Sequence, residues 1–495
     1  DMDEGNLDTD LDGTYDFLDT DSDGDTISDM LEAGDYDITT PPENCDTDTL
    51  PNYRDTDSDN DGISDADELL YGTDLCDPDT DGDGVSDLIE IAYGSDPLDS
   101  SESPRTYGDF VFEVPHMAAP SPTVDTLVFS TDIQKGDVFF LLDTTGSMGG
   151  ELTNLRTSLS STIIPGIASR IPDVWYAVGR HDDYPYGGYG SPSSGDVVFQ
   201  LNQRTTSSTT LAQSAVNSLG LHYGVDGPES QVPALYATAT GGGFGSYLAA
   251  QTSCATGERG YPCFRAGAVP IVILMTDATF HNGYGGTWPY SGVVPTPPNF
   301  ATTVSALNAI NAKVITVNSG GTYAQVDCTQ ITTQTGAVDV SGTPLYFEIS
   351  SSGTGMGTAI IDAVETLISR VPIRVDAIVT DDPGDSVDAV TSFIDRVQTN
   401  TSGASIFDPA TGTTRVCTTT ATATPGTAPT VDYFTGVLPG QSVCYDIYPQ
   451  MNTTIVPLTT PQIFRAVIDI IGDLFTPLDS RDIYFLVPPV IPGGN

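Results

Sequence analysis

The 495 residues exceed what one hydrophobic core serves and predict roughly two to four domains. The formal net charge of −52, from 68 acidic against 16 basic residues, excludes nucleic-acid binding and attachment to anionic membranes, which both need basic surface. No apolar run approaches the ~20 residues of a membrane helix, so no membrane insertion by this chain is expected.

Residues 1–104 are Asp-rich and repetitive. Half of the carboxylates fall within the first hundred residues, where Arg54 is the sole basic side chain. Such density prevents compaction unless cations neutralise it. The chain opens at Asp1 rather than Met and is read as processed or trimmed, with further repeats upstream conceivable, so the lack of a signal peptide says nothing against secretion.

Four loops share one register: Asp8-Asp10-Asp12, Asp21-Asp23-Asp25, Asp57-Asp59-Asp61 and Asp79-Asp81-Asp83. Each adds an Asp at the ninth position (Asp16, Asp29, Asp65, Asp87) and an acid at the twelfth (Asp19, Glu32, Glu68, Glu90). Positions 1, 3, 5, 9 and 12 are those of an EF-hand-like calcium loop, and Gly13, Gly62 and Gly84 stand where the chain must turn sharply. The second loop has Thr26 there. Tyr15, Ile27, Ile63 and Val85 are the expected apolar anchors, and residues 45–55 form a shortened repeat. The competing reading is a disordered acidic tail in which Asp-x-x-Glu merely starts short helices. A register held four times favours calcium. These stretches resemble thrombospondin type 3 repeats and their bacterial relatives, which implies an extracellular, calcium-stiffened arm with affinities of about 10⁻⁴–10⁻³ M.

Residues 105–136 contain two strand-like runs, DFVFEV and TLVFSTDI. Their texture matches that of residues 371–495, which alternate every second residue, are rich in Thr, Val and Pro, and predict a β-sandwich. Between them, residues 137–370 alternate short apolar runs with helical patterns, the mark of a doubly wound, Rossmann-like α/β domain. The expected fold is therefore an α/β domain inserted in a β-sandwich and carried on a calcium-bound arm.

The run Val138–Leu142 lacks alternation, as a central parallel strand should. It leads into Asp143-Thr144-Thr145-Gly146-Ser147, and a second apolar strand, Val269–Met275, ends in Thr276-Asp277. Ligands bind at such carboxyl ends of strands. Asp143, Thr145, Ser147 and Asp277 make a hard oxygen set suited to Mg²⁺, Mn²⁺ or Ca²⁺. An ordinary hydroxyl-capped turn is the alternative for the first loop alone.

Asp-x-Thr-x-Ser after the first strand, with an apolar strand ending in Thr-Asp, resembles the metal-ion-dependent adhesion site of von Willebrand factor A domains. Asp226-Gly227-Pro228-Glu229 is similar to the Asp-x-Pro-Glu loop of the integrin β-subunit subtype. The resemblance implies that Glu229 joins the central ion directly and Asp277 through water. It also implies a neighbouring site, with calcium as one candidate, made by Asp183, Asp226, the Pro228 carbonyl and Glu229. Gly224 replaces the usual Asn, and at a third site Gly150 replaces one acid and Glu151 remains. An ion held by few carboxylates keeps an open position that a partner's carboxylate can fill, reversing the local field of a very acidic protein.

The seven cysteines suit an oxidising compartment, and neighbour pairing joins Cys45 to Cys76, Cys254 to Cys263 and Cys417 to Cys444, leaving Cys328. Residues 241–267 form a stapled loop that either overhangs the metal face or has no special role. Tyr184, Tyr186, Tyr189, Tyr284, Trp288 and Tyr290 either recognise a partner or pack against the metal loops. His281 is read as packing. Asn400 and Asn452 sit in glycosylation sequons that Thr-rich β domains also produce by chance.

The leading expectation is a secreted or cell-surface adhesion protein that binds an acidic group of a protein or other extracellular ligand, another copy of itself included. The alternative is a structural subunit of an extracellular filament or matrix. No nucleophile elbow, HExxH, phosphate loop or His-centred triad is present, so an enzyme is not expected.

Overall fold

The computed structural model describes residues 6–34, 37, 39–46, 48–408, 411–426 and 432–491. Thr47, within the shortened repeat 45–55, lies outside the described residues, as do both ends of the chain.

Each calcium-type loop is closed by a turn or helix that begins at its ninth residue: Asp16–Leu18, Asp29–Glu32, Asp65–Tyr71 and Asp87–Tyr93. The helix-start reading of Asp-x-x-Glu and the loop reading therefore hold together, because the first helical turn carries the twelfth residue back over the loop. Glu32, Glu68 and Glu90 are buried as a result. The sixth residue is left-handed in every loop, with φ of 99° at Gly13, 87° at Thr26, 96° at Gly62 and 92° at Gly84. Glycine adopts this freely, whereas β-branched Thr26 does so under strain. Ile27, Ile63 and Val85 are buried anchors, but Tyr15 is 48 % exposed and stacks on Phe17. The single turn after the first loop leaves that ring without a helix to pack beneath.

Strands β1 (Phe110–Glu113) and β2 (Asp125–Phe129) follow the arm. A central sheet then contains β3 (Lys135–Asp143), β4 (Asp173–His181), β5 (Gln200–Thr206), β6 (Val269–Thr276), β7 (Lys313–Asn318) and β8 (Tyr346–Glu348). Its order is β5-β4-β3-β6-β7-β8, parallel except at the β5 edge. Both middle strands are buried on both faces. Val138, Phe140 and Leu142 pack with Leu152 and Leu155 of helix Gly149–Ser158 and with helix Met356–Arg370. Phe139, Leu141, Val272 and Leu274 pack on the other side with Val232 and Leu235 of helix Gln231–Thr240. Each fully buried Leu or Phe contributes about 1.5–3 kcal/mol, so the β3–β6 pairing is strongly specified.

The remaining strands are β9 (Ile373–Asp381), β10 (Ile394–Asn400), β11 (Ser405–Asp408), β12 (Thr413–Val416), β13 (Thr422–Thr424), β14 (Tyr433–Val437), β15 (Val443–Pro449), β16 (Gln462–Gly472) and β17 (Thr476–Val487). Along β16, Phe464, Ala466, Ile468 and Ile470 face inward at every second position. Two sheets, β1-β17-β16-β9-β14-β13 and β10-β15-β2, share a core that includes Phe112, Phe129, Phe434, Tyr445 and Phe485. Strands from before and after the central sheet thus lie in the same pair of sheets. One helical turn, Ala389–Phe393, capped by the Asp388 carboxylate, stands in a zone whose sequence suggested none.

The arm docks on this β region: Ile63 and Leu88 bury against Leu486, and Tyr93 meets Tyr484 edge-on at 5.2 Å. Cys45–Cys76, Cys254–Cys263 and Cys417–Cys444 are bonded, and Cys328 is a buried free thiol. Asn452 is fully buried and donates to the carbonyls of Val114 and Ile455, so its sequon is not a surface acceptor. Among the described residues no helix is long and apolar enough to cross a membrane.

Candidate metal centre

At the carboxyl edge of the central sheet, Leu142 of β3 lies in register with Met275 of β6, so the loops leaving these strands start side by side. Asp143 is fully buried. One of its oxygens, Oδ1, accepts from the Thr145 backbone N–H at 3.0 Å and hydroxyl at 2.7 Å, while Oδ2 accepts from the Thr276 hydroxyl at 2.8 Å. Across the gap the Ser147 hydroxyl donates to Asp277 Oδ1 at 3.0 Å. The segment before helix Gln231–Thr240 brings Glu229 to the same place. Its N–H donates to the Thr279 carbonyl at 2.9 Å, and the His281 N–H donates to the Glu229 carbonyl at 2.8 Å, tying this segment to the chain leaving β6.

Thr145, Ser147, Glu229 and Asp277 line one open cleft of about 620 Å³, with Asp143 beneath it. The edge is electrostatically overloaded. Burial, followed by repulsion from Asp143, Asp183, Asp182 and Asp226, pushes the Glu229 carboxyl up to about 12. Burial and Asp143 push Asp277 up to about 6. Burial raises Asp143 too, against the hydrogen bonds from Thr145 and Thr276. Glu229 is 4 % exposed, yet its Oε2 has no hydrogen-bond partner. A buried carboxylate oxygen without a donor, amid other carboxylates, fits a divalent cation, which supplies the missing positive charge.

Beside the cleft, Asp183 and Asp226 come together around His281, whose Nε2 is 3.3 Å from Asp183 Oδ2 and 3.1 Å from Asp226 Oδ2. The sequence reading placed these two acids together but treated His281 as packing. The ring does pack on Tyr290, at 4.3 Å between centroids, and it also faces both acids. Pro228 lines the cleft. At Gly224 a Cβ would come 2.7 Å from Glu229 Oε1, so a side chain there would displace the Glu229 carboxylate. Likewise, a Cβ on Gly150 would collide with the Ser351 carbonyl, leaving no room for a second acid, while Glu151 is buried with both carboxylate oxygens lacking hydrogen bonds.

The aromatics divide between the two roles. Tyr184 is fully buried and packs edge-on with Tyr290 at 4.9 Å, as does Tyr189. Trp288 is exposed at the cleft mouth, where Tyr223 and Tyr323 join it. The disulfide end of 241–267 does not overhang this face. Arg265 pairs with Asp137 at 2.7 Å near the start of β3, and Arg259 lies over Phe475, so this end lies at the opposite edge of the sheet. The loop leads directly into β6, whose start lies beside that of parallel β3, so its end is carried to this edge, where Arg265 pairs with buried Asp137.

In the arm, the direct donors come from positions 1, 3, 5 and 12. Asp21 Oδ1, Asp23 Oδ2, Asp25 Oδ2 and both Glu32 oxygens are buried without hydrogen bonds. The same holds for Asp57 Oδ1, Asp59 Oδ2, Asp61 Oδ2 and Glu68 Oε2, and for Asp81 Oδ2 and Glu90 Oε2. Burial, then neighbouring aspartates, pushes Glu32 and Glu68 up to about 9 and Asp61 up to about 8. These inward oxygens fit cations. Each ninth-position Asp uses both oxygens on its own loop: Asp16 on Thr9, Asp29 on Ser22, Asp65 on Ser58 and Asp87 on Thr80, through N–H and hydroxyl together. The hydroxyl residue at the second position is the signal the sequence reading passed over. In the first loop Asp8, Asp10 and Asp12 cluster, but Asp19 instead accepts from the N–H groups of Thr20 and Asp21.

Residues 57–74 and 79–100 match the family described as the bacterial TSP3 repeat, a calcium-binding repeat. No curated protein matches the chain. Among solved structures, a von Willebrand factor type A protein from Catenulispora acidiphila is similar at 14 % identity and a TM-score of 0.32, over 77 % of this chain and 74 % of that one. The pilus adhesin SpaC from Lactobacillus rhamnosus GG is similar at 12 % identity and a TM-score of 0.28, over 73 % of this chain and 45 % of that one. Proximal thread matrix protein 1 from the mussel byssus is similar at 12 % and 0.28, over 48 % and 47 %. The chain thus spans less than half the length of the last two. The sheet order and its Asp-x-Thr-x-Ser edge have the layout that the resemblance to von Willebrand factor A domains implies.

Proposed function

We propose that this is an extracellular adhesion or ligand-binding protein that captures a partner's carboxylate through a divalent cation at the cleft above Asp143. In this reading Asp143, Thr145, Ser147, Glu229 and Asp277 hold Mg²⁺, Mn²⁺ or Ca²⁺, and the α/β domain is an insertion in the β-sandwich. The observation that carries it is the convergence of Thr145, Ser147, Glu229 and Asp277 on one open cleft, with an unpartnered oxygen on buried Glu229. Hydroxyls share the work of ligation with carboxylates, so the ion keeps positive character toward the open side. Three disulfides and the repeat match favour an extracellular setting. No catalytic step is assigned.

The structural-subunit reading draws on the docking of the arm, which joins Ile63 and Leu88 to the β region and suits transmission of load. One experiment separates the two. The full chain is passed over arrayed Asp- and Glu-containing peptides and their Asn and Gln counterparts, in Mg²⁺ or in EDTA. Carboxylate-dependent binding that disappears in EDTA and in Ser147→Ala supports capture. Binding indifferent to metal, with Ser147→Ala altering only polymerisation, leaves the structural reading standing.

A further inference from the structure

The cluster beside the cleft has a donor that the Asp-x-Pro-Glu resemblance does not supply. The His281 Nδ1 lies 2.7 Å from the Trp288 carbonyl. A carbonyl only accepts, so Nδ1 carries a ring proton, and Nε2, within hydrogen-bond distance of Asp226 Oδ2, either donates to it as an imidazolium or, in the neutral ring, presents a lone pair to a cation. That lone pair faces Asp183 Oδ2 at 3.3 Å and Asp226 Oδ2 at 3.1 Å, both of which also only accept. Asp183 is fully buried, and its Oδ2 has no hydrogen-bond partner. Its Oδ1 is fixed by the Tyr184 N–H at 2.6 Å and by the Tyr290 hydroxyl. With the ring neutral, the state in which it ligates a cation, three lone pairs converge on one place.

Bonds of about 2.1 Å place neighbouring donors about 3.0 Å apart in an octahedron and about 3.4 Å apart in a tetrahedron. The separations of 3.1 and 3.3 Å fall within that range. The backbone carbonyl behind the imidazole is the usual way a ligating histidine is held in its tautomer. Asp226 keeps 35 % of its side chain exposed, which gives an ion an entry path and room for water.

We infer that Asp183, Asp226 and His281 form a second cation site, of mixed nitrogen and oxygen donors, suited to a borderline ion such as Zn²⁺ rather than to Ca²⁺, with Mn²⁺ as a weaker-binding spectroscopic stand-in. Calcium takes oxygen ligands, whereas imidazole favours transition ions. The inference rests on the reading of this edge as cation-binding, but not on any partner being captured at the cleft.

The test uses the full chain with its repeats saturated with Ca²⁺ and Mn²⁺ as the probe, followed by pulsed electron paramagnetic resonance. A Mn²⁺ ion bonded to imidazole shows a nitrogen hyperfine coupling, and an all-oxygen site shows none. The expected result is a nitrogen coupling that persists in Ser147→Ala, disappears in His281→Gln, and is displaced by Zn²⁺. Asp226→Asn, at a half-exposed position, is expected to weaken Mn²⁺ at this site about ten-fold or more. Bound Mn²⁺ without nitrogen coupling in the unmodified chain overturns the inference, as does a coupling that survives His281→Gln. Either outcome leaves peptide capture at Asp143 untouched. Loss of capture in Ser147→Ala with the nitrogen coupling intact separates the two sites.

Discussion

The arm and the cleft are both built from inward carboxylate oxygens, and they differ in how completely those oxygens close. In the Asp57 loop, four acids at positions 1, 3, 5 and 12 each turn at least one unpartnered buried oxygen inward, and the ninth locks the loop through Ser58. At the cleft, Asp143 already gives its oxygens to Thr145 and Thr276, two hydroxyls take part, and one side stays open. A closed, charge-rich shell makes an ion part of the fold, and an open one leaves it able to accept an outside ligand.

Chelation should separate the two regions most strongly. An ion held at about a hundred times its dissociation constant adds about 2.7 kcal/mol, and the loops contribute several such increments. In EDTA the arm is expected to lose its cooperative unfolding transition and become protease-sensitive, while the transitions of the other domains remain in calorimetry. An arm that stays folded in EDTA would remove the contrast.

Glu68→Gln and Glu229→Gln then sharpen it. The first should lower the calcium-loaded unfolding transition of the arm by about 2–3 kcal/mol, as loss of a charged ligand from a closed shell. The second relieves the burial and repulsion that push Glu229 up to about 12, so the metal-free α/β domain should melt no lower than the unmodified one while losing Mg²⁺. A large metal-free destabilisation by Glu229→Gln would make the cleft a structural site after all.

Acidity should act on the arm in opposite directions with and without calcium. Glu32 and Glu68 are pushed from about 4.5 up to about 9, chiefly by burial. Between those values the metal-free folded arm holds protons that the unfolded chain has released. Its stability is therefore greatest below the lower value and is lost as pH rises through the upper one. With calcium bound the ions replace those protons, so acidification destabilises. In EDTA the protease resistance of the arm should therefore rise from pH 9 to pH 5, whereas in calcium its melting point should fall over the same change.

The smallest effect is local. Thr26→Gly should stabilise the calcium-loaded arm by about 1 kcal/mol, because Thr26 holds a φ of 87° that glycine reaches without strain. No change in the thermal midpoint would mean that the second loop has relaxed around its threonine.

Much of this was legible in the chain itself, wherever contacts lie close in sequence or follow one period. The acid register gave the loops, and the unbroken apolar runs of β3 and β6 gave a doubly covered sheet. Neighbour pairing of the cysteines agrees with the three disulfides. Asp143 and Asp277 could be placed on one edge because each directly follows an apolar strand.

Tertiary structure alone decided the rest. Ser147 meets a residue 130 positions away, and Thr276 reaches back 133 to Asp143. His281 finds its acids only because its backbone is tied to Glu229 and its ring is set by Trp288. Arg265, at the end of the stapled loop, meets buried Asp137, 128 positions away. Spacing and period govern what neighbours along the chain can do, whereas charge balance among segments brought together by crossover connections follows only from their packing.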